Sequence, residues 1–168
     1  MNYNNIPATL KENALWCVWK YEEHGKVPYN PNTGNHARTN DTSTFADFET
    51  ALTVFENGGY DGLGLGIFGS IGAIDIDHCI EEGEFSNMAH DIIDRMNSYT
   101  EISPSGNGIR IIFTVNGFEY DKERYYINNQ KKGLEVYVAG ATIKFVTITG
   151  ERINESHIID CTEKLTEV

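Results

Sequence analysis

Apolar and polar positions alternate along most of the chain with a period of two, the signature of strands, and shift to a helical period in two stretches. Ala14-Leu15-Trp16-Cys17-Val18-Trp19 predicts a strand entering the core sheet, closed by the polar turn Glu22-Glu23-His24-Gly25. Lys26 to Gly34 carries Pro28, Pro31 and the turn sequence Pro31-Asn32-Thr33-Gly34, which predicts an extended, looping path. From Thr44 the spacing Phe45, Phe48, Leu52, Phe55 predicts a packing helix, with Thr44 as N-cap, Asp47 in its first turn and Gly58-Gly59 ending it. Gly62 to Phe68 alternates glycine with apolar residues, so one face of that strand admits another element closely. Its Gly-x-Gly run enters further strand-like sequence and opens no helix, which rejects a dinucleotide loop. A second helix follows Ser86, with Met88, Ile92, Ile93 and Met96 on one face and an end near Asn97-Ser98. Ser103 to Gly108 then turns into the strand Ile109 to Val115. Residues 131–138 and 143–150 read as two strands of a hairpin joined through Gly140. Residues 116–133 show no period and read as loop or short helix, and the tail beyond residue 152 is acidic and aperiodic.

Chemistry enters where two acids interrupt an apolar, β-branched run, Ile74-Asp75-Ile76-Asp77-His78. Alternation places Asp75 and Asp77 on one strand face. Two like charges on a half-buried sheet are costly unless a cation sits between them. Mg²⁺ or Mn²⁺ fits best, because hard divalent ions take oxygen ligands and commonly combine one or two carboxylates with substrate phosphates. The alternative is a strand end with two solvated acids. The turn Ser103-Pro104-Ser105-Gly106-Asn107-Gly108 can direct backbone N–H groups at an anion with Arg110 at its mouth, or it can be a plain hairpin connection with a cross-strand arginine. Lys26 and Arg38 are cations that the proline-rich loop could present to a ligand, or solvated surface charges. Glu135 is a lone acid in an apolar strand and a candidate third carboxylate.

The chain has 168 residues, 40% of them hydrophobic and 23% charged, which fits one globular domain over residues 1–168. Cys17, Cys79 and Cys161 are odd in number and widely spaced, which argues against a disulfide framework or a zinc ribbon and for a reducing, cytoplasmic setting. No apolar run approaches the ~20 residues of a membrane span, and the N-terminus carries no targeting pattern, so no membrane partner is expected. The net charge of −12 disfavours a polyanion partner, but it is unevenly spread. Residues 1–109 hold 5 basic against 16 acidic side chains, and residues 110–152 hold 7 against 5. A polyanion surface is expected in the second segment, Lys131 and Lys132 included, with weak affinity for DNA.

Ile-Asp-Ile-Asp-His at 74–78, Ser-Pro-Ser-Gly-Asn-Gly-Ile-Arg at 103–110, Gly-Leu-Glu-Val-Tyr at 133–137 and Phe-Val-Thr-Ile-Thr-Gly at 145–150 resemble, in order and spacing, the primase-polymerase domains of phage and plasmid replication proteins. These belong to the archaeo-eukaryotic primase superfamily, and the resemblance covers roughly residues 14–152. It implies an α+β fold in which an α/β module joins an RRM-like sheet, with the active site in the cleft between them. The implied reaction is template-directed nucleotidyl transfer, by a DNA primase or DNA polymerase, using a two-metal carboxylate site. Asp75, Asp77 and Glu135 would then be the catalytic, Mg²⁺- or Mn²⁺-binding acids. Ser103, Ser105, Gly106, Asn107, Gly108 and Arg110 would hold the triphosphate of a dNTP or NTP, with Lys26, Arg38 and Lys144 as further nucleotide-binding cations. Single-stranded DNA template and, in a full-length protein, a helicase module are the implied partners. The family's Ser-x-His motif ends here in Arg110, which can bind phosphate bidentately but cannot carry a proton near neutral pH. A catalytically silent nucleotide- or DNA-binding module and a metal-dependent nuclease are the alternatives.

Overall fold

The computed structural model describes residues 1–121, 123 and 133–168; the expectations for Lys131, Lys132 and residues 124–132 lie outside them. In chain order the helices are α1 (Ala8–Asn13), α2 (Phe48–Glu56) and α3 (Asn87–Met96). The strands are β1 (Trp16–Glu22), β2 (Gly25–Tyr29), β3 (Gly62–Gly66), β4 (Ile71–Ile76), β5 (Ile80–Glu81), β6 (Glu84–Phe85), β7 (Tyr99–Ile102), β8 (Ile109–Thr114), β9 (Leu134–Val138) and β10 (Phe145–Ile148). They form two four-stranded antiparallel sheets, ordered β10-β3-β1-β2 and β7-β8-β4-β9, and a small β5-β6 hairpin. Mixed helices and antiparallel sheets place the chain in the α+β class.

The alternation in each strand explains where the layers meet. One face of the first sheet, with Trp16, Val18, Leu63, Leu65, Val146 and Ile148, shares a core with Ala73, Tyr99, Ile112 and Tyr137 from the second sheet. The opposite face of the second sheet, with Ile74, Ile76, Ile109 and Ile111, packs on Ala89, Ile92 and Met96 of α3. Ser86 caps α3 by accepting from the Ala89 N–H, and Asn97 ends it in a left-handed conformation, φ 44°. Each large apolar side chain fully buried in these layers stabilises the fold by roughly 1.5–3 kcal/mol.

Four expectations need correction. Lys26 to Tyr29 is the edge strand β2, not loop. Proline is tolerated there because Pro28 turns outward: its carbonyl accepts from Ala37 N–H, so its missing N–H would not have faced β1. Helix α2 starts at Phe48, and its cap is Asp47, which accepts from Thr50 N–H. Thr44 instead closes a short 3-10 turn, and Phe45 packs with Cys17 and Ala37 in a separate cluster. The hairpin between residues 131–138 and 143–150 does not form: β9 pairs with β4, and β10 crosses to β3. The glycine face of β3 makes that crossing possible, since a Cβ on Gly64 would lie 2.9 Å from the Phe145 ring. Finally, the tail is not idle. Cys161 and Leu165 are buried under the second sheet, and Ile159 and Cys161 pair with Thr114 through backbone hydrogen bonds.

Candidate active site

Register in the second sheet sorts the side chains that face the first sheet into successive rows. Tyr99, Ile112, Ala73 and Tyr137 align across β7, β8, β4 and β9, and all four belong to the shared core. Two residues further along, Glu101, Arg110, Asp75 and Glu135 align in the same way. The site therefore begins one pleat beyond the apolar core. The next step brings Ser103, Gly108, Asp77 and Gly133 together: Ser103 N–H donates to Gly108 at 2.8 Å, and Asp77 N–H donates to Gly133 at 2.7 Å. Both glycines lie close against the backbone at Ile76 and Asp77. A Cβ on Gly108 would lie 2.8 Å from the Ile76 carbonyl oxygen, and one on Gly133 would lie 2.7 Å from that of Asp77.

Arg110 is the hinge of the charged row. Its Nη2 donates to both Asp75 carboxylate oxygens at 2.8 Å, and its Nη1 donates to the carbonyl and hydroxyl oxygens of Thr147 on β10. The Arg110 side chain is 4% exposed and that of Asp75 16%. Glu101 is fully buried, accepting from Thr149 N–H at 2.8 Å, Gly150 N–H at 2.9 Å and the Tyr99 hydroxyl at 2.8 Å. Burial pushes its carboxyl upward from the ordinary range, opposed by those hydrogen bonds and by the Arg110 charge.

A cavity of about 580 Å³ opens where the two sheets part, lined among others by Lys26, Arg38, Asp75, Arg110, Tyr137 and Lys144. It thus gathers five of the predicted residues. Asp77, Glu135 and the 103–108 turn lie outside that lining. Burial and the nearby Arg110 charge lower the Lys26 ammonium, while Asp75 and Asp77 pull it back up. Partial desolvation, then the Asp75 charge, raises the Asp77 carboxyl, although the residue is exposed at the margin of the site; desolvation raises Glu135 too, with Lys144 opposing. Arg38 is exposed and paired with Asp41.

The turn holds itself together. Ser103 and Ser105 hydroxyls are 3.0 Å apart, Ser105 donates to Asn107 Oδ1 at 2.6 Å, and Asn107 Nδ2 is 3.1 Å from His78 Nδ1. Gly106 takes φ 79°, as the tight turn requires. This order sets the turn beside Asp77, at the open end of the sheet.

A divalent cation fits the pair Asp75 and Asp77 in part. Asp77 follows directly on β4, its carboxyl is raised by desolvation and then by the charge of Asp75, and two carboxylates with substrate phosphates suit Mg²⁺. Glu135 does not complete a cage: among the described residues no three acid, histidine or cysteine side chains form a group that could hold a metal ion. Arg110, moreover, engages both oxygens of Asp75.

Sequence reasoning passed over Glu101, Thr147 and His78. Glu101 carries the same signal as Glu135, a lone acid in the short strand Tyr99-Thr100-Glu101-Ile102, and that signal could have found it. Thr147 gives no such sign, because its role depends on β10 crossing between sheets.

No family model matches the chain. The chain is 35% identical over 152 residues to the DNA primase-polymerase of Nitratiruptor phage NrS-1, a match covering 87% of this chain and 21% of that protein. It therefore spans about a fifth of the length of the curated relative it matches. No helix among the described residues is long and apolar enough to cross a membrane. The similarity over most of this chain supports a primase-polymerase-type domain.

Proposed function

We propose that this domain carries out template-directed nucleotidyl transfer, as a DNA primase, a DNA polymerase or both, in phage or plasmid replication. One observation carries the reading: an otherwise strongly acidic protein gathers Lys26, Arg38, Arg110 and Lys144 around Asp75 in a single cleft. A nucleoside triphosphate needs that combination, cations for its phosphates beside a carboxylate for its metal. The order β7-β8-β4-β9, with α3 crossing from β4 to β7, supports assigning the second sheet to the RRM-like half of an archaeo-eukaryotic primase core. The first sheet and its helices then form the α/β module.

In this reading Lys26, Arg38 and Lys144 neutralise the triphosphate, and Arg110 and the Ser103-to-Gly108 turn orient it. Asp75 and Asp77, with Glu135 close by, would hold Mg²⁺ or Mn²⁺, which when bound supplies activation of the attacking 3′-hydroxyl and charge neutralisation at the α-phosphoryl group. The 3′-oxygen forms the new bond to the α-phosphorus as pyrophosphate departs. A single-stranded DNA template is the polymeric partner, and a helicase module in a longer protein is the partner expected to deliver it.

Incubation with labelled dNTPs or NTPs, Mg²⁺ or Mn²⁺ and a single-stranded template, with and without primer, tests the reading. Template-dependent extension is the expected result. Nucleotide binding without incorporation would mark a silent module, and strand cleavage indifferent to triphosphate would mark a nuclease.

A further inference from the structure

The Arg110–Asp75 contact has an unusual internal geometry. A fork-shaped guanidinium–carboxylate pair uses two parallel N–H donors, one for each oxygen. In this pair the single nitrogen Nη2 serves both Asp75 oxygens, and Arg110 Nε is buried without a hydrogen-bond partner among the described residues. The side chain is 96% buried by its 4% exposure, yet it lines the basic cavity together with Asp75. An unpartnered, buried guanidinium nitrogen at a cavity wall leaves a desolvation cost unmet. Thr147 holds Nη1 independently of Asp75, so Nη2 can change partner while the guanidinium stays in the cleft.

We propose that Arg110 is an exchangeable counter-ion: in the ligand-free protein it neutralises Asp75, and on nucleotide entry it trades Asp75 for a phosphate oxygen, releasing that carboxylate for a divalent cation. The inference rests on the nucleotide-binding reading above and adds how the site is switched. The exchange leaves every charge paired. One Arg–carboxylate contact becomes one Arg–phosphate contact plus one carboxylate–cation contact, and no buried charge is stranded at either stage. Triphosphate and cation then bind with positive coupling, and the coupling is reciprocal. The exchange also gives arginine a purpose in place of the histidine that the Ser-x-His motif leads one to expect, since a permanent positive charge is what a counter-ion requires.

The test is a double-mutant cycle on dATP affinity, measured by calorimetry in EDTA with Asp75→Asn, Arg110→Met and the combined variant. Removing Asp75 should free Arg110 and tighten metal-free dATP binding at least ten-fold. In the R110M background the same change should give a gain at least five-fold smaller. Equal gains in both backgrounds would show that Asp75 acts only through its own charge on a fixed arginine, and would overturn the exchange; so would weaker binding by D75N. Mg²⁺ titrations without nucleotide supply a second readout, in which R110M should bind the ion at least ten-fold more tightly than the unaltered protein. If R110M fails to fold by circular dichroism, Arg110→Lys takes its place, because lysine cannot span Asp75 and Thr147 together. Failure of the unaltered protein to bind dATP even with Mg²⁺ would overturn the nucleotide reading itself, whereas binding with Mg²⁺ and equal gains in the cycle would overturn the exchange alone.

Discussion

Glu101 offers the most quantitative probe of the site's foundations. Its carboxylate takes hydrogen bonds from two backbone N–H groups, Thr149 and Gly150, and from the Tyr99 hydroxyl, all at 2.8–2.9 Å. Alanine at this position would leave those three buried donors without an acceptor, at about 1–3 kcal/mol each. Relief from burying a carboxylate, and water entering the vacated space, offset part of that. The net expectation for Glu101→Ala is a loss of about 3–5 kcal/mol, the scale for breaking a buried charged contact from one side. Glu101→Gln keeps one acceptor oxygen but turns an amide N–H₂ towards a donor, and should cost about 1–3 kcal/mol. The pH dependence carries a sign. Burial raises the folded-state pKa of Glu101 above its unfolded value, so the folded protein holds the proton more tightly and stability falls as pH rises through that window. Glutamine does not titrate, so the stability gap between the unaltered protein and Glu101→Gln should be widest at mildly acidic pH and narrow on going to neutral. Other raised carboxyls, Asp77 and Glu135, cancel in the difference. Urea denaturation followed by circular dichroism at several pH values measures both. An alanine variant losing less than about 1 kcal/mol, or a gap that widens towards neutral pH, would refute the buried-anchor account.

Three further outcomes are expected. Asp77→Asn, on an exposed side chain, should leave urea stability within about 0.5 kcal/mol while lowering nucleotide incorporation roughly 10²-fold or more in a primer-extension assay. Gly133→Ala places a Cβ 2.7 Å from the Asp77 carbonyl oxygen at φ 63°, and should cost about 1–3 kcal/mol in a thermal melt. Binding to single-stranded DNA should be weak and show a slope of log affinity against log salt of only about −1.5 to −2, as two or three phosphate contacts give; anisotropy titrations returning a steep slope, or tight binding without divalent ion, would show a larger cationic surface.

Local signals suffice where one strand or helix decides the outcome. The alternation around Asp75 and Asp77, the Ser86 cap and the glycine face of β3 all depend on neighbours in sequence, and each has its expected place in the fold. What escaped was long-range pairing. Proximity in sequence suggests a β9–β10 hairpin, yet β9 pairs beside β4 and β10 beside β3, pairings between residues far apart in the chain. Thr147 reaches Arg110 only through that crossing, so no local pattern marks it. The destination of the Arg110 side chain had the same character. Its position at the end of the turn was legible, but whether it points along the turn or across the sheet to Asp75 depends on the neighbour that β4 supplies.

The parting of the two sheets has an electrical consequence. Lys26, Arg38 and Lys144 come from the first sheet and its connecting segments, whereas Asp75, and Asp77 and Glu135 beyond the cavity lining, come from the second or its margin. The cleft is therefore polarised like a small capacitor, one plate positive and the other negative, with Arg110 bridging the gap. A bare anion is drawn to one plate and repelled by the other, and so is a bare cation. A ligand that is itself polarised, with metal on one side and phosphates on the other, satisfies both plates at once and in one orientation only. In the proposed function such a field would favour the metal–triphosphate complex over either component and set which way round it enters.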